Sequence, residues 1–297
     1  MRRVASRQNP IVSRYRLAAR GDDRDVMLLD GVHLVADAIA AGAHVREAAV
    51  AAASIDDPVV RGLVNRLISG GVDVVSVAAP VMAALSGVRS SSAMVALADR
   101  PRLDDSGVFR RVVPQLPLRV GGPARVGAAA THGNPAATAR APLIIVAVNV
   151  QDPGNVGAII RVAEAGGAAG VMISGASADP FGLKALRGSM GSALRIPVIR
   201  RRTGAAPGAD VDELRRLGFR IVATAPRGGR LLFDADLRGP TAILIGGEGP
   251  GLPPEILAAA DERVSIPMEP PVESLNAAAT AAVIVYEARR QRSGMTG

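Results

Sequence analysis

The chain has 297 residues, 48% of them hydrophobic, and its 35 basic and 27 acidic side chains give a formal net charge of +8. Aromatic residues make up only 2%, so the core must be built from aliphatic side chains and alanine. The absence of cysteine excludes disulfides, thiolate nucleophiles and cysteine metal sites. The length allows two domains, and the excess of positive charge favours a polyanionic partner such as nucleic acid.

The N-terminus, the apolar stretches and the histidines narrow the kinds of protein that this sequence can encode. The basic start, MRRVASRQNPIVSRYR, is not followed by an apolar segment, so we do not expect a secretory signal. No uninterrupted apolar stretch reaches the length of a membrane span. His33, His44 and His132 lack the spacing of ligands, so no metal site is predicted. We therefore expect a soluble cytoplasmic protein.

Residues 1 to about 100 alternate short apolar strands with helical patterns, which predicts a small α/β domain. A strand is expected at 25–30 and a helix at 31–42, and the alternation continues through 45–52, 59–71, 72–77, 80–87 and 92–99. The leading segment is rich in arginine, which suits either a phosphate backbone or a solvated basic helix. The candidate nucleic-acid contacts in it are Arg7, Arg14, Arg16 and Arg20.

The composition changes between residues 101 and 141 to proline, glycine, alanine and arginine. Strand-like periodicity survives there only in GVFRRVV, so the segment is predicted to be a linker or a poorly ordered insertion. From residue 142 onward, near-continuous aliphatic strands alternate with helices. That pattern predicts a mostly parallel sheet covered on both faces, and ligands of such sheets bind at the carboxyl ends of the strands.

The first loop at such an end is NVQDPGNVGAIIR, between the strand LIIVAVNV and the helix VGAIIRVAEAGG. Asn155 is expected to cap this helix, and Arg161 falls on a different helix face from the apolar residues. The loop has neither the dinucleotide fingerprint nor a P-loop. Its small residues would permit close approach of the backbone to a ligand or to another chain segment.

Two further loops follow strong strands. ILIGGEGPGLP (243–253) has four glycines around Glu248, although a glycine-rich turn before a proline-started helix needs no ligand. VSIPMEPPVESLNAAATAAVIVYEARRQ (264–291) ends a strand at Ile266-Pro267 and leads into a helix that we expect from Leu275. Taken alone, Ser274 and Asn276 fit helix capping better than catalysis.

Together the three loops resemble motifs one to three of the SpoU-type (TrmH-like) knotted RNA ribose 2′-O-methyltransferases. The resemblance covers about 142–292 and, more weakly, the front domain. Gly247 departs from it, because a larger residue is common there, and so does the stiff Pro270-Pro271. The matching residues are Asn155, Gly157 and Arg161 in motif one, Gly246, Glu248 and Gly251 in motif two, and Ile266, Pro267, Met268, Ser274, Leu275 and Asn276 in motif three.

The resemblance implies an α/β fold whose C-terminal, mostly parallel sheet contains a deep trefoil knot and is preceded by a small ribosomal-protein-like substrate-binding domain. Its domains would be 1–100 for RNA binding, 101–141 as linker or insertion, and 142–297 for methyl transfer. The implied activity is transfer of a methyl group from S-adenosylmethionine to a ribose 2′-hydroxyl in RNA by a homodimer. Ribosomal RNA is favoured over transfer RNA, given the ribosomal-protein-like front domain.

The same resemblance assigns the site residues. Because arginine stays protonated, we interpret Arg161 as a phosphate clamp and electrostatic stabiliser, with a phosphate oxygen or Glu248 as proton acceptor. An exposed ion pair with Glu164 is the structural alternative for Arg161. The implied catalytic residues are Arg161, Asn155, Glu248, Ser274 and Asn276, and the implied cofactor-binding residues are Thr224, Gly246, Gly247, Ile266, Met268 and Leu275.

Two other functions compete with this interpretation. Gly247 and Pro270-Pro271 would also suit an RNA-binding protein that has lost catalysis on the same scaffold, against which Arg161 and Glu248 argue. An oxidoreductase with a nucleotide cofactor would need the glycine fingerprint and an acidic ribose ligand, and the chain has neither. We rank the oxidoreductase last.

Overall fold

The computed structural model describes residues 1–87, 92–101, 141–201 and 208–293. The chain divides into two compact units, one formed by Met1–Leu103, Asp152–Arg161 and Ala178–Val198 and the other by Asp104–Gln151, Val162–Ser177 and Ile199–Gly297. Nearly all of the predicted linker, with GVFRRVV and His132, lies outside the described residues. The domain boundaries expected at 100 and 141 stay predictions.

Residues 1–99, in the first unit, form a five-stranded sheet and four α-helices, close to the predicted positions. The elements are β1 (Arg2–Val4), α1 (Pro10–Arg20), β2 (Val26–Asp30), α2 (Val32–Ala40), β3 (Val45–Ala51), α3 (Pro58–Ser69), β4 (Asp73–Val77), α4 (Ala79–Leu85) and β5 (Met94–Asp99). The strand order is β1-β4-β3-β5-β2. β1, β4 and β3 are parallel, whereas β5 is antiparallel to both β3 and β2.

The arginine-rich leading segment forms α1. Asn9 caps it by accepting a hydrogen bond from the Ile11 amide, Pro10 occupies the first turn, and Gly21 ends it in the left-handed conformation. Its apolar face is buried in the core of the unit through Ile11, Val12, Tyr15 and Ala18. The arginines of α1 consequently lie on the exposed face.

The second sheet has seven strands in the order β10-β12-β9-β11-β6-β7-β8. Neighbouring strands from β10 to β7 are parallel, which confirms the predicted mostly parallel sheet. From residue 141 onward, the elements in chain order are β6 (Leu143–Val148), α5 (Pro153–Gly166), β7 (Gly170–Ser174), α6 (Leu183–Ser189), α7 (Ser192–Arg195), β8 (Val198–Arg200), α8 (Ala209–Arg216), β9 (Arg220–Thr224), β10 (Arg230–Leu231), β11 (Thr241–Gly246), α9 (Pro254–Ala259), β12 (Glu262–Ser265) and α10 (Ala277–Arg292).

The aliphatic composition of the central strands explains their position. Every residue of β6 is buried, as expected for a parallel strand covered on both faces. At the end of α10, the Arg292 guanidinium donates hydrogen bonds to the carbonyl oxygens of Ala141, Leu237 and Gly239, each at 2.7 Å. Burial lowers the pKa of Arg292 to about 10. These contacts fix the end of the last helix, while the trefoil knot stays a prediction.

Some boundaries differ from the sequence prediction. α5 starts at Pro153, earlier than expected, and α10 starts at Ala277 rather than at Leu275. The sequence did not predict β1, α7 and β10, because two to four residues are too few to show a period. In the described ranges, no helix has both the length and the apolar composition of a membrane span.

Candidate functional site

The second unit contains a pocket of about 300 Å³ at the carboxyl ends of β9, β11 and β12. Parallel strands present their carboxyl ends at one edge of a sheet, which is where ligands of such folds bind. The pocket brings together ten residues that the sequence singled out, from three separate stretches of chain: Thr224, Gly246, Gly247, Glu248, Gly251, Ile266, Met268, Ser274, Leu275 and Asn276.

One wall of the pocket is Gly246–Leu252, which we call the pocket loop. Gly247 and Gly251 form a β-bridge across it, and Gly249 and Gly251 have the positive φ that favours glycine. A Cβ added at Gly246 would lie 2.4 Å from the carbonyl carbon of Gly251. The loop therefore folds back on itself too tightly for a side chain at position 246, and it offers main chain to whatever occupies the pocket.

The opposite wall is the segment that leads into α10. Asn276 caps this helix, because its Oδ1 accepts hydrogen bonds from the amides of Ala278 at 2.9 Å and Ala279 at 3.3 Å. The capping interpretation is thereby confirmed for Asn276, whereas Ser274 lies two residues before the cap. Leu275, with 38% of its surface exposed, contributes an apolar side chain to the lining.

The first motif is capped by a different residue from the one predicted. Asp152 Oδ1 accepts hydrogen bonds from the amides of Gly154 at 2.6 Å and Asn155 at 3.1 Å, so the expectation that Asn155 caps α5 was wrong. Pro153 suits the first helical position and places the cap one residue before it. A hydrogen bond from Lys184, at 2.9 Å, lowers the pKa of Asp152, and the bonds from the two amides lower it further.

Other residues of the first motif lie along α5. A Cβ on Gly157 would lie 2.3 Å from the carbonyl oxygen of Ala185, so this glycine serves close packing against α6. Arg161 is exposed and Asn155 is half-buried. Both belong to the first compact unit, and neither is among the residues that line the pocket.

The predicted nucleic-acid contacts divide into two groups. Arg7, Arg16 and Arg20 line one open depression of about 380 Å³ in the first unit, together with residues 83–87; we call it the arginine depression. Arg14 instead donates two hydrogen bonds to Glu47, from Nε at 3.1 Å and from a terminal nitrogen at 2.6 Å. The bond to Glu47 raises the pKa of Arg14. In the described part of the chain, none of the three arginines of the depression has a carboxylate partner.

Comparison with known proteins gives a family match and relatives that match over all or about half of the chain. A model of the SpoU rRNA methylase family matches residues 142–286. An uncharacterized tRNA/rRNA methyltransferase of Synechocystis is 30% identical over 293 residues, which is 97% of this chain and 94% of that protein. The 23S rRNA guanosine 2′-O-methyltransferase RlmP of Bacillus subtilis is 39% identical over 153 residues, and this chain spans only 59% of its length.

Solved structures resemble the chain over almost its whole length. The SpoU methyltransferase AviRb of Streptomyces viridochromogenes, in complex with AdoMet, has a TM-score of 0.78 and 27% identity, covering 96% of this chain and 99% of that one. An AdoMet-bound rRNA methyltransferase of Sinorhizobium meliloti has a TM-score of 0.76 and 25% identity, covering 100% and 99%. The similarity thus includes the front part of the chain, which the family model does not reach.

Proposed function

The chain belongs to the SpoU rRNA methylase family, and we propose that it transfers a methyl group from S-adenosylmethionine to a ribose 2′-hydroxyl in ribosomal RNA. The observation that carries the proposal is the pocket at the carboxyl ends of β9, β11 and β12. Its lining contains all six residues that the resemblance assigned to the cofactor. Relatives named for rRNA 2′-O-methylation and neighbours solved with AdoMet support the same activity.

The residues of the pocket fit this cofactor. Its volume lies at the lower end of the range for small-molecule sites, and its lining combines aliphatic side chains with exposed main chain. The pocket loop lines the cavity with glycine main chain, which can meet an adenine edge without an intervening side chain. We assign the adenosine part to backbone groups of Gly246, Ile266 and Leu275 and to Thr224, with Gly247 and Met268 completing the lining.

Bound S-adenosylmethionine would supply a methyl group on a sulfonium, ready for displacement by an oxygen nucleophile. The protein's contribution is to hold the ribose hydroxyl in line, which replaces a bimolecular encounter by a fixed geometry. We assign a substrate phosphate to Arg161, whose planar guanidinium suits bidentate binding. A phosphate oxygen or Glu248 would accept the hydroxyl proton.

Three further residues complete the proposed catalytic set. Ser274 lies in the pocket lining and would contact the ribose. Asn276 fixes the start of α10 and thereby the segment that carries Ser274 and Leu275. Asn155, on α5 with Arg161, would face the RNA or the second subunit.

We assign the RNA backbone to the arginine depression. Three guanidinium groups without carboxylate partners converge there, and phosphate contacts supply most of the sequence-independent affinity for nucleic acid. Arg14 is already neutralised by Glu47, so its predicted contribution to RNA binding is smaller. We favour ribosomal over transfer RNA because relatives are named for 23S rRNA; methylation of transfer RNA alone would contradict that choice.

A homodimer follows from the resemblance, and α10 offers a surface for it. Its outer face carries Ala279, Ala282, Val283 and Tyr286, at positions i, i+3, i+4 and i+7, and Tyr286 is 51% exposed. From Ala277 to Val285 the only polar side chain of the helix is Thr280, and a helical segment that is apolar on nearly all sides is normally buried, so we assign this face to a second copy. Light scattering on the purified protein should give twice the chain mass; a monomer at all concentrations would contradict the assignment. A cytoplasmic location stays a prediction.

The cofactor site is tested by calorimetric titration with S-adenosylmethionine. Leu275→Arg places a charged side chain in the pocket lining and should abolish binding. Val272→Arg is the matched control, because Val272 is 54% exposed in the same segment but does not line the pocket. No binding by the wild type, with or without RNA, would overturn the enzyme and leave an RNA-binding protein on the same scaffold.

A further inference from the structure

Gly247 stands where the family commonly has a larger residue, and its surroundings explain why this chain has glycine there. A Cβ added at position 247 would lie 2.0 Å from the carbonyl oxygen of Asn149 and 2.7 Å from its carbonyl carbon. The Gly247 amide also donates a hydrogen bond to the carbonyl oxygen of Val148, at 2.9 Å. The pocket loop therefore rests directly on the main chain that follows β6.

Asn149 itself has an uncommon backbone conformation. Its φ of 56° lies in the left-handed region, where asparagine is tolerated better than most residues. Its side-chain Oδ1 accepts a hydrogen bond from the Ala176 amide at 2.8 Å, and its own amide donates to the Ser174 carbonyl oxygen at 3.3 Å. These two bonds tie the end of β6 to the turn after β7.

The neighbours of Asn149 leave this arrangement little freedom. The Val150 amide donates to Ser177 Oγ at 2.9 Å, and the buried Ser177 hydroxyl in turn donates to the Ser174 carbonyl oxygen at 2.7 Å. Gly175 has a φ of 62°, and a Cβ there would lie 2.2 Å from Asn149 Oδ1. The main chain is thus held on both sides of the Asn149 carbonyl group.

We propose that Asn149 is a positioning residue for the cofactor pocket: its carboxamide holds the turn after β7, and its carbonyl group supports Gly247 and fixes the pocket loop. The inference rests on the proposed function of that pocket. Asn149 does not line the pocket, so it acts through Gly247, which does. Glycine at 247 and asparagine at 149 form a matched pair in this chain.

Hydrogen exchange on the cofactor-free protein tests the contact directly. Amides of residues 246–252 should exchange about fivefold faster in Asn149→Ala, the effect of losing one hydrogen bond. Asn149→Asp keeps an acceptor oxygen and tolerance of the left-handed region, so it should exchange like the wild type. Equal exchange in all three proteins would overturn the proposal, and this outcome does not depend on whether the pocket binds S-adenosylmethionine.

Affinity for S-adenosylmethionine then separates positioning from simple destabilisation. Asn149→Ala should raise the Kd for the cofactor about fivefold, with RNA affinity unchanged, and Asn149→Asp should restore it. Unchanged cofactor affinity in Asn149→Ala would overturn the proposal. If the wild type binds no cofactor, the proposed function fails while the exchange result still decides the role of Asn149.

A double-mutant cycle tests the matched pair. Gly247→Ala forces the Asn149 carbonyl to move and should weaken cofactor binding about 30-fold, in the range of overpacked sites. Adding Asn149→Gly, which frees that backbone, should cost nothing further or recover part of the loss. Gly239→Ala is the control, because a Cβ there meets open space at an ordinary φ. If the losses of cofactor-binding free energy in the two single variants simply add in the double variant, the proposed coupling of Asn149 and Gly247 is contradicted.

Discussion

The pocket and the arginine depression are two concave sites with different linings, glycine-rich main chain in the first and arginine side chains in the second. The pocket is made of main chain held at fixed distances, so that even a methyl group at Gly246 or Gly247 would collide with backbone. The depression is lined by the long side chains of Arg16 and Arg20, from the exposed face of α1, and of Arg7, from the segment before it. The first suits one small molecule of defined shape, and the second suits a flexible polyanion.

This difference predicts whether shape or charge controls the affinity of each site for its ligand. In the pocket, shape should control the affinity for S-adenosylmethionine. Small steric changes there should therefore alter that affinity strongly, whereas the salt concentration should alter it little. Charge is the controlling term in the depression, where single substitutions should have modest effects and salt a strong one.

The largest expected effect comes from Gly246→Ala. The added Cβ would lie 2.4 Å from the carbonyl carbon of Gly251 and 2.5 Å from the Leu252 nitrogen, so the pocket loop must open. We expect affinity for S-adenosylmethionine to fall on the order of 100-fold, at the upper end of overpacking costs. Calorimetry with Gly239→Ala as control checks this; a change below threefold would mean that the main chain does not shape the site.

Salt should separate the two sites in the wild-type protein. If three phosphate contacts form at the depression, a fourfold rise in salt should weaken RNA binding about 20-fold, given the slope per contact on single strands. Cofactor affinity should change less than about twofold over the same range. Filter binding measures the RNA affinity and calorimetry the cofactor affinity. If both fall equally with salt, charge does not distinguish the two sites.

Removing charge from the depression should have an intermediate effect. Arg16→Ala combined with Arg20→Ala should weaken RNA binding about tenfold, uniformly across sequences, and flatten the salt dependence. Arg14→Ala, on the same helix but at an arginine paired with Glu47, should weaken RNA binding less than about twofold. If Arg14→Ala loses as much RNA affinity as the double variant at Arg16 and Arg20, basic charge on α1 contributes to binding wherever it lies.

The smallest effect is expected at Asn276, where capping and catalysis can be told apart. Asn276→Ala removes the cap of α10 and should lower the free energy of unfolding by about 1 kcal/mol, while Asn276→Asp keeps an acceptor oxygen and most of that stability. Denaturant unfolding and methyl transfer are measured on both. Lost turnover in Asn276→Asp at full stability would give Asn276 a direct catalytic role.

The sequence predicted the strands and most helices well, because β-branched runs such as LIIVAV and amphipathic stretches report burial locally. It placed the wrong residue at the start of α5, since Asp152 and Asn155 both suit a cap and only the position of Pro153 favours Asp152. Motifs two and three named most of the pocket residues, but their meeting point depended on the strand order.

Contacts between distant parts of the chain could not be predicted. The reason for glycine at 247 lies in the backbone of Asn149, far away in sequence, and no local pattern reports it. The pairing of Arg14 with Glu47 likewise joins α1 to β3 and distinguishes Arg14 from Arg16 and Arg20, which look the same in the sequence. Such contacts follow from tertiary structure alone.

Methyl transfer to ribose can be detected on the RNA itself. Purified protein is incubated with S-adenosylmethionine carrying a labelled methyl group and with unmodified ribosomal RNA, and the digested nucleosides are identified by mass spectrometry. We expect one labelled 2′-O-methyl nucleoside, absent with Leu275→Arg and present with Val272→Arg. Label on a base, or no label although the cofactor binds, would contradict methyl transfer to ribose.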